Sequence, residues 1–329
     1  MAKDTDLTVA LTGPTGTFGF GLVPLLEADH RVRRTIGVAR SPFDPAEHGW
    51  VKMAYHRGDV RDADRLTEAF TGADVVVHLA FLVVGGRGST TREVNVDGTV
   101  NAFRAAAAAG VHRFVYASSV AAYGFHRDNP VGMTEEWPVR PADRLFYARQ
   151  KAEIEQLLHE ESRAQPGPEL YLVRPSFVVG PHTVGGKLDL PGALAPIGRA
   201  VQGRARRLPL PVPAVVPDMP VQLVHEDDVG RALLQCVVGA GPAGAYNIAA
   251  DDVLSTVDIA RELGVVPIPV PGQIGHTAAR LASRLPLPTA AQWVEAASHP
   301  AVMDTTRAKA LLGWHPRHTA LEALREALR

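Results

Sequence analysis

A short apolar run at residues 7–11 leads straight into Thr12-Gly13-Pro14-Thr15-Gly16-Thr17-Phe18-Gly19, a G-x-x-G-x-x-G turn that opens a helical stretch. No other feature of the chain narrows its fold so far. Glycines at this spacing allow a tight turn after a strand, close approach of backbone to a diphosphate, and close packing of the next helix on the sheet. The helix N-terminus then offers unbonded N–H groups and the positive end of its dipole to an anion. Gly13, Thr15, Gly16, Thr17, Phe18 and Gly19 are therefore the candidate residues for cradling a dinucleotide.

The first half of the chain alternates β-branched runs with helical stretches, the pattern of βαβ units around a parallel sheet. Strands are predicted at 7–11, 35–39, 75–79, 113–117 and 170–173, and helices at 19–28, 62–70, 94–109 and 142–161. Val75-Val76-Val77 shows no polar alternation, which predicts a strand covered on both faces. From Ser176 onward the texture changes, and Pro209, Pro211, Pro213, Pro217 and Pro220 punctuate one extended segment. A strand at 221–225 and a helix after Asp227 resume the α/β pattern, and an amphipathic helix is predicted at 320–328. The fold class is α/β: a Rossmann doubly wound parallel sheet with a smaller C-terminal lobe. Residues 1–175 and 219–249 are assigned to the nucleotide-binding domain, and 176–218 and 250–329 to the substrate-binding lobe.

Charge excludes several partners. With 34 Lys and Arg against 35 Asp and Glu, nothing draws the surface toward nucleic acid or an anionic membrane. The densest basic cluster, Arg204-Ala205-Arg206-Arg207, is short and reads as a solvated loop. The single cysteine, Cys236, cannot form an intrachain disulfide, and its apolar neighbours mark it as a small buried hydrophobe. Residues 1–6 lead into a short strand rather than a signal-peptide core, and no apolar run is long enough to cross a bilayer. A cytoplasmic protein with a small-molecule substrate is expected, with neither nucleic acid nor membrane as partner.

The second strand ends at Val38-Ala39-Arg40-Ser41, with Arg40 twenty-one residues beyond Gly19. An acid near this point favours the ribose 2′-hydroxyl of NAD, whereas a guanidinium favours the 2′-phosphate of NADP. Arg40 with no carboxylate beside it makes NADP(H) the preferred cofactor and NAD(H) the alternative. In the plainer reading, Arg40 stacks on adenine or faces solvent.

Tyr147 and Lys151 lie four residues apart on one predicted helix face. A free tyrosine, with a pKa of about 10, is a poor acid–base catalyst at neutrality. A fixed cation beside it would stabilise the phenolate, and a fall of about 3 pH units corresponds to about 4 kcal/mol. The strand at 113–117 runs into Ser118-Ser119, at the end of the sheet where open α/β folds bind ligands. A serine hydroxyl there can bond a substrate carbonyl beside the tyrosine, while the other caps a turn. No G-x-S-x-G elbow surrounds either serine, and His315 and His318 are spaced H-x-x-H around Pro316, which prevents a regular helical metal site; no H-E-x-x-H occurs, so no metal is expected.

These motifs together resemble the extended short-chain dehydrogenase/reductase family, the NAD(P)-dependent epimerase/dehydratases. The resemblance runs in order along nearly the whole chain, through Gly58-Asp59-Val60, Val77–Ala80, Asn95–Thr99, Tyr116–Gly124, Tyr147/Lys151, Arg174–Pro181, Val224–Leu233, Tyr246–Ile248 and Leu312–Arg317. It implies that Asp59 and Val60 contact adenine and that Leu79 and Ala80 line the nicotinamide ribose. It implies that Asn95 supports a proton-relay water, Ser119 orients the substrate, and Tyr147 is the acid–base. Lys151 would hold the ribose and lower the tyrosine pKa, and Pro175, Ser176 and Val178 would line the nicotinamide. His78 is read as a strand-end residue with a satisfied hydrogen bond. The family also implies a homodimer.

Two departures shape the expected chemistry. The family's sugar-nucleotide dehydratases carry an acidic pair after the Ser/Thr, where this chain has Val120-Ala121. Many of its sugar-nucleotide enzymes place an arginine six residues before the Asp227-Asp228 pair, where this chain has Val221. Both favour a ketoreductase-type enzyme acting on the carbonyl or alcohol of a less phosphorylated molecule. A nucleotide-sugar epimerase is the alternative, with Arg204, Arg206 and Arg207 as the nearby cations that would hold a diphosphate. A non-catalytic NADP sensor would be expected to lack Tyr147 or Lys151. Specificity is assigned to the small lobe, including 209–220, and to the loop at 125–137.

Overall fold

The computed structural model describes residues 5–83, 88–142, 144–164, 166–184, 213–271 and 299–329. Strands β1 (Leu7–Thr12), β2 (Val32–Ala39), β3 (Met53–Arg57), β4 (Val75–His78), β5 (Arg113–Ala117) and β6 (Glu169–Pro175) come first along the chain. They are followed by β7 (Phe177–Val179), β8 (Pro213–Asp218), β9 (Pro220–Val221), β10 (Leu223–His225), β11 (Gly244–Ile248), β12 (Leu254–Ser255) and β13 (Val266–Pro271). The helices are α1 (Thr17–Ala28), α2 (Ala63–Phe70), α3 (Gly88–Arg92), α4 (Gly98–Ala108) and α5 (Phe146–Ala164). After them come α6 (Pro181–Val184), α7 (Glu226–Val237), α8 (Thr256–Glu262), α9 (Thr306–Leu312) and α10 (Ala320–Ala327).

Seven strands form one parallel sheet in the order β11-β6-β5-β4-β1-β2-β3. This is the predicted doubly wound arrangement. The chain leaves β1 toward β2 on one side and later resumes at β4 on the other. The crevice at the C-terminal ends of β1 and β4 is thus a topological switch point, where open α/β sheets bind ligands. Val75, Val76 and Val77 are fully buried, as a strand covered on both faces requires. Cys236 is buried in the core formed by β1, α1 and α7, and burial pushes its thiol pKa up, so it packs as a hydrophobe.

Helices α1 and α7 pack face to face through glycine. A Cβ on Gly230 would lie 2.2 Å from the Gly21 carbonyl oxygen, so the two backbones touch. The C-terminal segment is fastened to α7. Trp314 Nε1 donates to the Asp228 carbonyl at 2.9 Å, and the Arg317 and His318 amides donate to the Asp228 carboxylate at 2.9 and 3.0 Å. Leu312 and Trp314 join the same core as β1 and α1.

Four local features depart from the sequence expectation. Strand β3 has no predicted counterpart: only Met53 in Met-Ala-Tyr-His-Arg is buried, and pairing with β2 makes the strand rather than its own pattern. The helix expected at 94–109 begins with a π-helical turn at Glu93–Asp97. Helix α5 starts at Phe146 rather than at 142. The strand at 221–225 is split, because β9 pairs with β12 and β10 with β7. Between the halves, the Gln222 side chain exchanges hydrogen bonds of 2.9 and 3.1 Å with the Met303 backbone. Among the described residues no helix is long and apolar enough to cross a membrane.

Candidate active site

The glycine turn closes as its spacing requires. Gly13 adopts φ +69°, its amide donates to Val38 O at 2.9 Å, and a Cβ there would meet the Ala80 backbone at 2.9 Å. A Cβ on Gly19 would lie 1.9 Å from the Pro14 carbonyl oxygen. Gly16 differs, since a Cβ there would touch only Gly13 O, at 3.4 Å. The outer glycines serve packing, while Gly16 leaves room in front of α1. Gly16 is the N-cap of that helix, makes no side-chain cap bond, and is followed by no acid in the first turn. Backbone donors, dipole and free space together fit a diphosphate.

At the end of β2, Arg40 is exposed, and its carbonyl oxygen accepts from Arg57 Nε at 2.9 Å. Asp59, a carboxylate on which Arg40 acts, is held by Arg61 in a two-pronged pair of 3.0 and 2.8 Å. That bond, with Arg40 adding to it, keeps the Asp59 carboxyl below the usual carboxylate range. Val60 is buried beside it. The Leu79 amide donates to Thr12 O at 3.1 Å, which sets Leu79-Ala80 against the glycine turn. His78 is buried between Thr12 Oγ1 (2.8 Å) and Thr99 Oγ1 (3.0 Å), and burial pulls its pKa down to about 3. It is a neutral strand-end histidine, as expected.

Tyr147 and Lys151 stand one turn apart on α5, beside the end of β5. Lys151 is 2% exposed, and its Nζ donates to Tyr116 OH at 3.0 Å and to Ala117 O at 2.7 Å. Burial pulls the ammonium down to about 7, and the Glu155 carboxylate opposes that fall. The expected lowering of the Tyr147 pKa by Lys151 is not what the structure gives. Burial pushes the phenol up, and the opposing influence is a hydrogen bond with Ser119. The reason is geometric: Lys151 directs its donors to Tyr116 and Ala117, and its Nζ stands 5.8 Å from the centre of the Tyr147 ring.

Ser119 combines both readings of a serine in this position. It is the N-cap of the short helical turn Val120–Tyr123, accepting from the Ala121 amide at 3.1 Å, and it also bonds Tyr147. Ser118 instead donates to Glu155 Oε1 at 2.5 Å, away from the tyrosine. Asn95 lies in the π-helical turn. Its amide bonds the Leu82 backbone at both ends (2.7 and 3.0 Å) and Gln150 Oε1 at 2.8 Å. Pro175 ends β6, and the Ser176 amide donates to Ile248 O at 2.9 Å. Ser176 Oγ is buried and has no partner among the described residues, which leaves a hydroxyl for a polar ligand group. Val178 in β7 is half-buried opposite Val224.

On its other side Tyr147 adjoins an apolar cluster that includes Val120, Ala121, Phe125, Met133, Trp137 and Phe177. The loop at 125–137 therefore borders Tyr147. Val221 in β9 is half-buried and pairs with Leu254. Arg204, Arg206, Arg207, Pro209 and Pro211 lie outside the described residues. His318, weighed with His315 as a metal motif, bonds Asp228 at 3.0 Å and stacks on His225 with ring centres 4.0 Å apart. Those two rings and Glu326 bring three ligand-type atoms within 4.8 Å of one another.

Sequence reasoning missed three residues at this site. Glu155 and Arg174 form a buried ion pair behind Tyr147 and Lys151, and Phe81 covers Lys151. Glu155 had a signal, lying one helical turn beyond Lys151. Phe81 had none beyond its place after Ala80.

A model of the NAD dependent epimerase/dehydratase family matches residues 9–249. An uncharacterised protein of Mycobacterium tuberculosis is 29% identical over 330 residues, covering 98% of this chain and 83% of that one. UDP-glucose 4-epimerase 2 of Oryza sativa subsp. japonica is 31% identical over 194 residues, covering 54% of this chain and 46% of the epimerase. Among solved structures, the dTDP-glucose 4,6-dehydratase DesIV of Streptomyces venezuelae, with NAD and TYD bound, superposes with a TM-score of 0.72. It is 23% identical and covers 98% of this chain and 96% of its own.

Proposed function

The chain belongs to the NAD dependent epimerase/dehydratase family, and from that premise we propose that it reduces the carbonyl of a small, largely apolar molecule with a nicotinamide nucleotide. One observation carries this: the Ser119–Tyr147 hydrogen bond stands beside a buried Lys151 at the ligand-binding end of the sheet. Gly13, Thr15, Gly16, Thr17, Phe18 and Gly19 would hold the diphosphate, and Arg40, Asp59 and Val60 the adenosine. Leu79, Ala80, Pro175, Ser176 and Val178 would hold the nicotinamide riboside. When bound, the nicotinamide supplies the hydride.

The chain's own groups handle the proton. Tyr147, its pKa raised by burial, stays a phenol at neutral pH and is a donor for an oxygen gaining negative charge. Ser119 Oγ is fixed by the Ala121 amide, so its proton is directed toward Tyr147 Oη or a substrate carbonyl. Lys151 Nζ, held by Tyr116 OH and Ala117 O, would serve as the contact for the nicotinamide ribose. Asn95 acts on this group through Gln150 and Leu82.

Substrate class follows from the surroundings of the tyrosine. Val120 and Ala121 are buried and apolar, so the position after Ser119 has no carboxylate to eliminate water. The apolar cluster beside Tyr147 favours an apolar substituent on the carbonyl. A second reading, nucleotide-sugar epimerisation, is favoured by the likeness to the rice epimerase. Purified protein incubated with a carbonyl panel and reduced nucleotide separates the two. Stoichiometric loss of reduced-nicotinamide absorbance supports reduction. Interconversion of a UDP- or dTDP-sugar without net nucleotide turnover assigns the chain to the epimerases.

A further inference from the structure

Phe81 follows Ala80 just beyond β4. Its ring centre lies 4.0 Å from Lys151 Nζ, and it meets the Tyr147 ring edge-on at 5.3 Å and 78°. An ammonium has three N–H donors. Two of those on Lys151 go to Tyr116 OH and Ala117 O, and the aromatic face of Phe81 covers the ammonium from another side. Phe81 thus touches both members of the acid–base pair while offering neither a proton nor a polar atom.

The backbone that carries the ring is fixed from outside. Asn95 Oδ1 accepts from Leu82 N at 2.7 Å, and Asn95 Nδ2 donates to Leu82 O at 3.0 Å and to Gln150 Oε1 at 2.8 Å. Gln150 is the neighbour of Lys151 on α5. Both amide hydrogens of Asn95 and its carbonyl oxygen therefore tie the segment after Phe81 to the helix that bears Lys151. The tie sits in the π-helical turn Glu93–Asp97, a local widening that proteins use to aim a side chain.

We propose that Phe81 is a lid on the acid–base pair, anchored by Asn95, and that ribose hydroxyls reach Lys151 only when the ring swings aside. Phe81 is a positioning residue in this scheme. The proposal rests on the nicotinamide-nucleotide reading above, because it names the ribose as the group that competes with the ring. A lid that favours the covered arrangement lowers apparent affinity by the fraction of protein that is open. It also keeps water from Lys151, consistent with the depressed proton affinity of that buried ammonium.

Phe81→Ala and Phe81→Leu, compared with the unaltered protein, test this with two readouts. The first is the association rate of NADPH and NADH, followed by nicotinamide fluorescence in stopped flow. The second needs no nucleotide: the rate at which an amine-reactive reagent labels Lys151, read by peptide mass spectrometry. Phe81→Ala is expected to raise the association rate about fivefold and Lys151 labelling about tenfold. Phe81→Leu keeps bulk but loses the aromatic face and should fall between. If Phe81→Ala disturbs folding, Asn95→Ser, which frees the anchor and keeps the ring, should also speed labelling. Unchanged labelling in a folded variant overturns the lid, as does slower or weaker nucleotide binding, which would make Phe81 a wall of the binding site. If neither nucleotide binds any of these proteins, the nicotinamide reading falls, and Lys151 labelling still decides whether Phe81 is a lid.

Discussion

Arg174 grips both carboxylate oxygens of Glu155, Nε to Oε1 at 3.0 Å and Nη2 to Oε2 at 2.6 Å, with the two side chains 4% and 1% exposed. Glu155 also accepts the Ser118 hydroxyl at 2.5 Å, and Arg174 donates to Tyr123 OH at 2.7 Å. Helix α5, strands β5 and β6, and the turn after Ser119 are thereby joined directly behind Tyr147 and Lys151. Removing one member of such a pair strands a buried charge, which typically destabilises by about 3–5 kcal/mol. Glu155→Gln keeps the shape and removes the charge, so urea denaturation should show a loss of about 3 kcal/mol. A loss below about 1 kcal/mol would mean that the guanidinium finds water or another acceptor.

The same carboxylate bears on pH dependence. Lys151 has a pKa of about 7 in the folded protein against 10.5 for the free side chain, with burial as the cause and Glu155 opposing. Between these values the unfolded chain holds a proton that the folded chain has released. Stability should therefore rise with pH from about 7 toward 10, by up to about 1.4 kcal/mol per pH unit. Below about 7 both states are protonated and the burial penalty stands in full. Denaturation midpoints of Lys151→Met, measured across pH 7 to 9.5, should lack this rise. Equal slopes in the two proteins would mean that Lys151 is not the group being titrated.

The glycine turn and the parallel order of the sheet were legible because both follow from local rules. A turn spelled by three glycines and strands spelled by valine runs need no distant partner to declare themselves. Strand β3 was not legible, since Met53 is its one buried residue and β2 supplies its pairing. At the site, Ser119 bonds Tyr147 as its position implied, while Lys151, one turn on, bonds Tyr116 and Ala117 instead. The direction of the Tyr147 shift was misjudged because burial is a property of the whole pocket and the i, i+4 spacing reveals only proximity. Phe81 lies in a loop far from α5 in sequence and Arg174 in the strand that follows α5, so their role depends on tertiary contacts that no local pattern encodes.

Gly16 and Gly19 should separate packing from ligand approach. Gly19→Ala forces a methyl to within 1.9 Å of Pro14 O, against backbone that cannot move aside cheaply. It should destabilise the fold by about 1–3 kcal/mol or more. Gly16→Ala meets only Gly13 O at 3.4 Å and should leave the melting temperature nearly unchanged. The new methyl stands before the N-terminus of α1, so nucleotide affinity should fall by about tenfold or more. Calorimetry and thermal melts on the two variants check this, and a Gly16→Ala protein with undiminished nucleotide binding would move the diphosphate elsewhere.

Replacing Tyr147 by Phe removes the phenolic proton while keeping the ring that packs on Phe81. Turnover should fall by about 100-fold or more, with nucleotide affinity nearly unchanged. Ser119→Ala should lower turnover less severely, since the Ala121 amide loses its acceptor but the phenol remains. Steady-state kinetics paired with nucleotide titrations separate these effects. A Tyr147→Phe protein with near-full activity would require the proton to come from substrate or water.

Cofactor choice turns on the end of β2. Arg40 is exposed there, and Arg57 is held beside it through the bond from its Nε to Arg40 O. Asp59, an acid on which Arg40 acts, is already engaged by both prongs of Arg61. A 2′-phosphate would find the exposed Arg40 guanidinium at this position, whereas Asp59, the acid beside it, is already bonded to Arg61. NADPH should therefore bind more tightly than NADH, by about tenfold, although the DesIV structure that this chain resembles holds NAD. Arg40→Asp should reverse the order, because a carboxylate repels the phosphate and accepts from the hydroxyl. Fluorescence titration of both nucleotides against both proteins decides the matter, and the salt dependence adds a second test. If a charge-assisted contact carries the preference, raising ionic strength should weaken NADPH binding more than NADH binding. Equal or tighter binding of NADH to the unaltered protein would make Arg40 a solvent-facing residue and return the site to NAD.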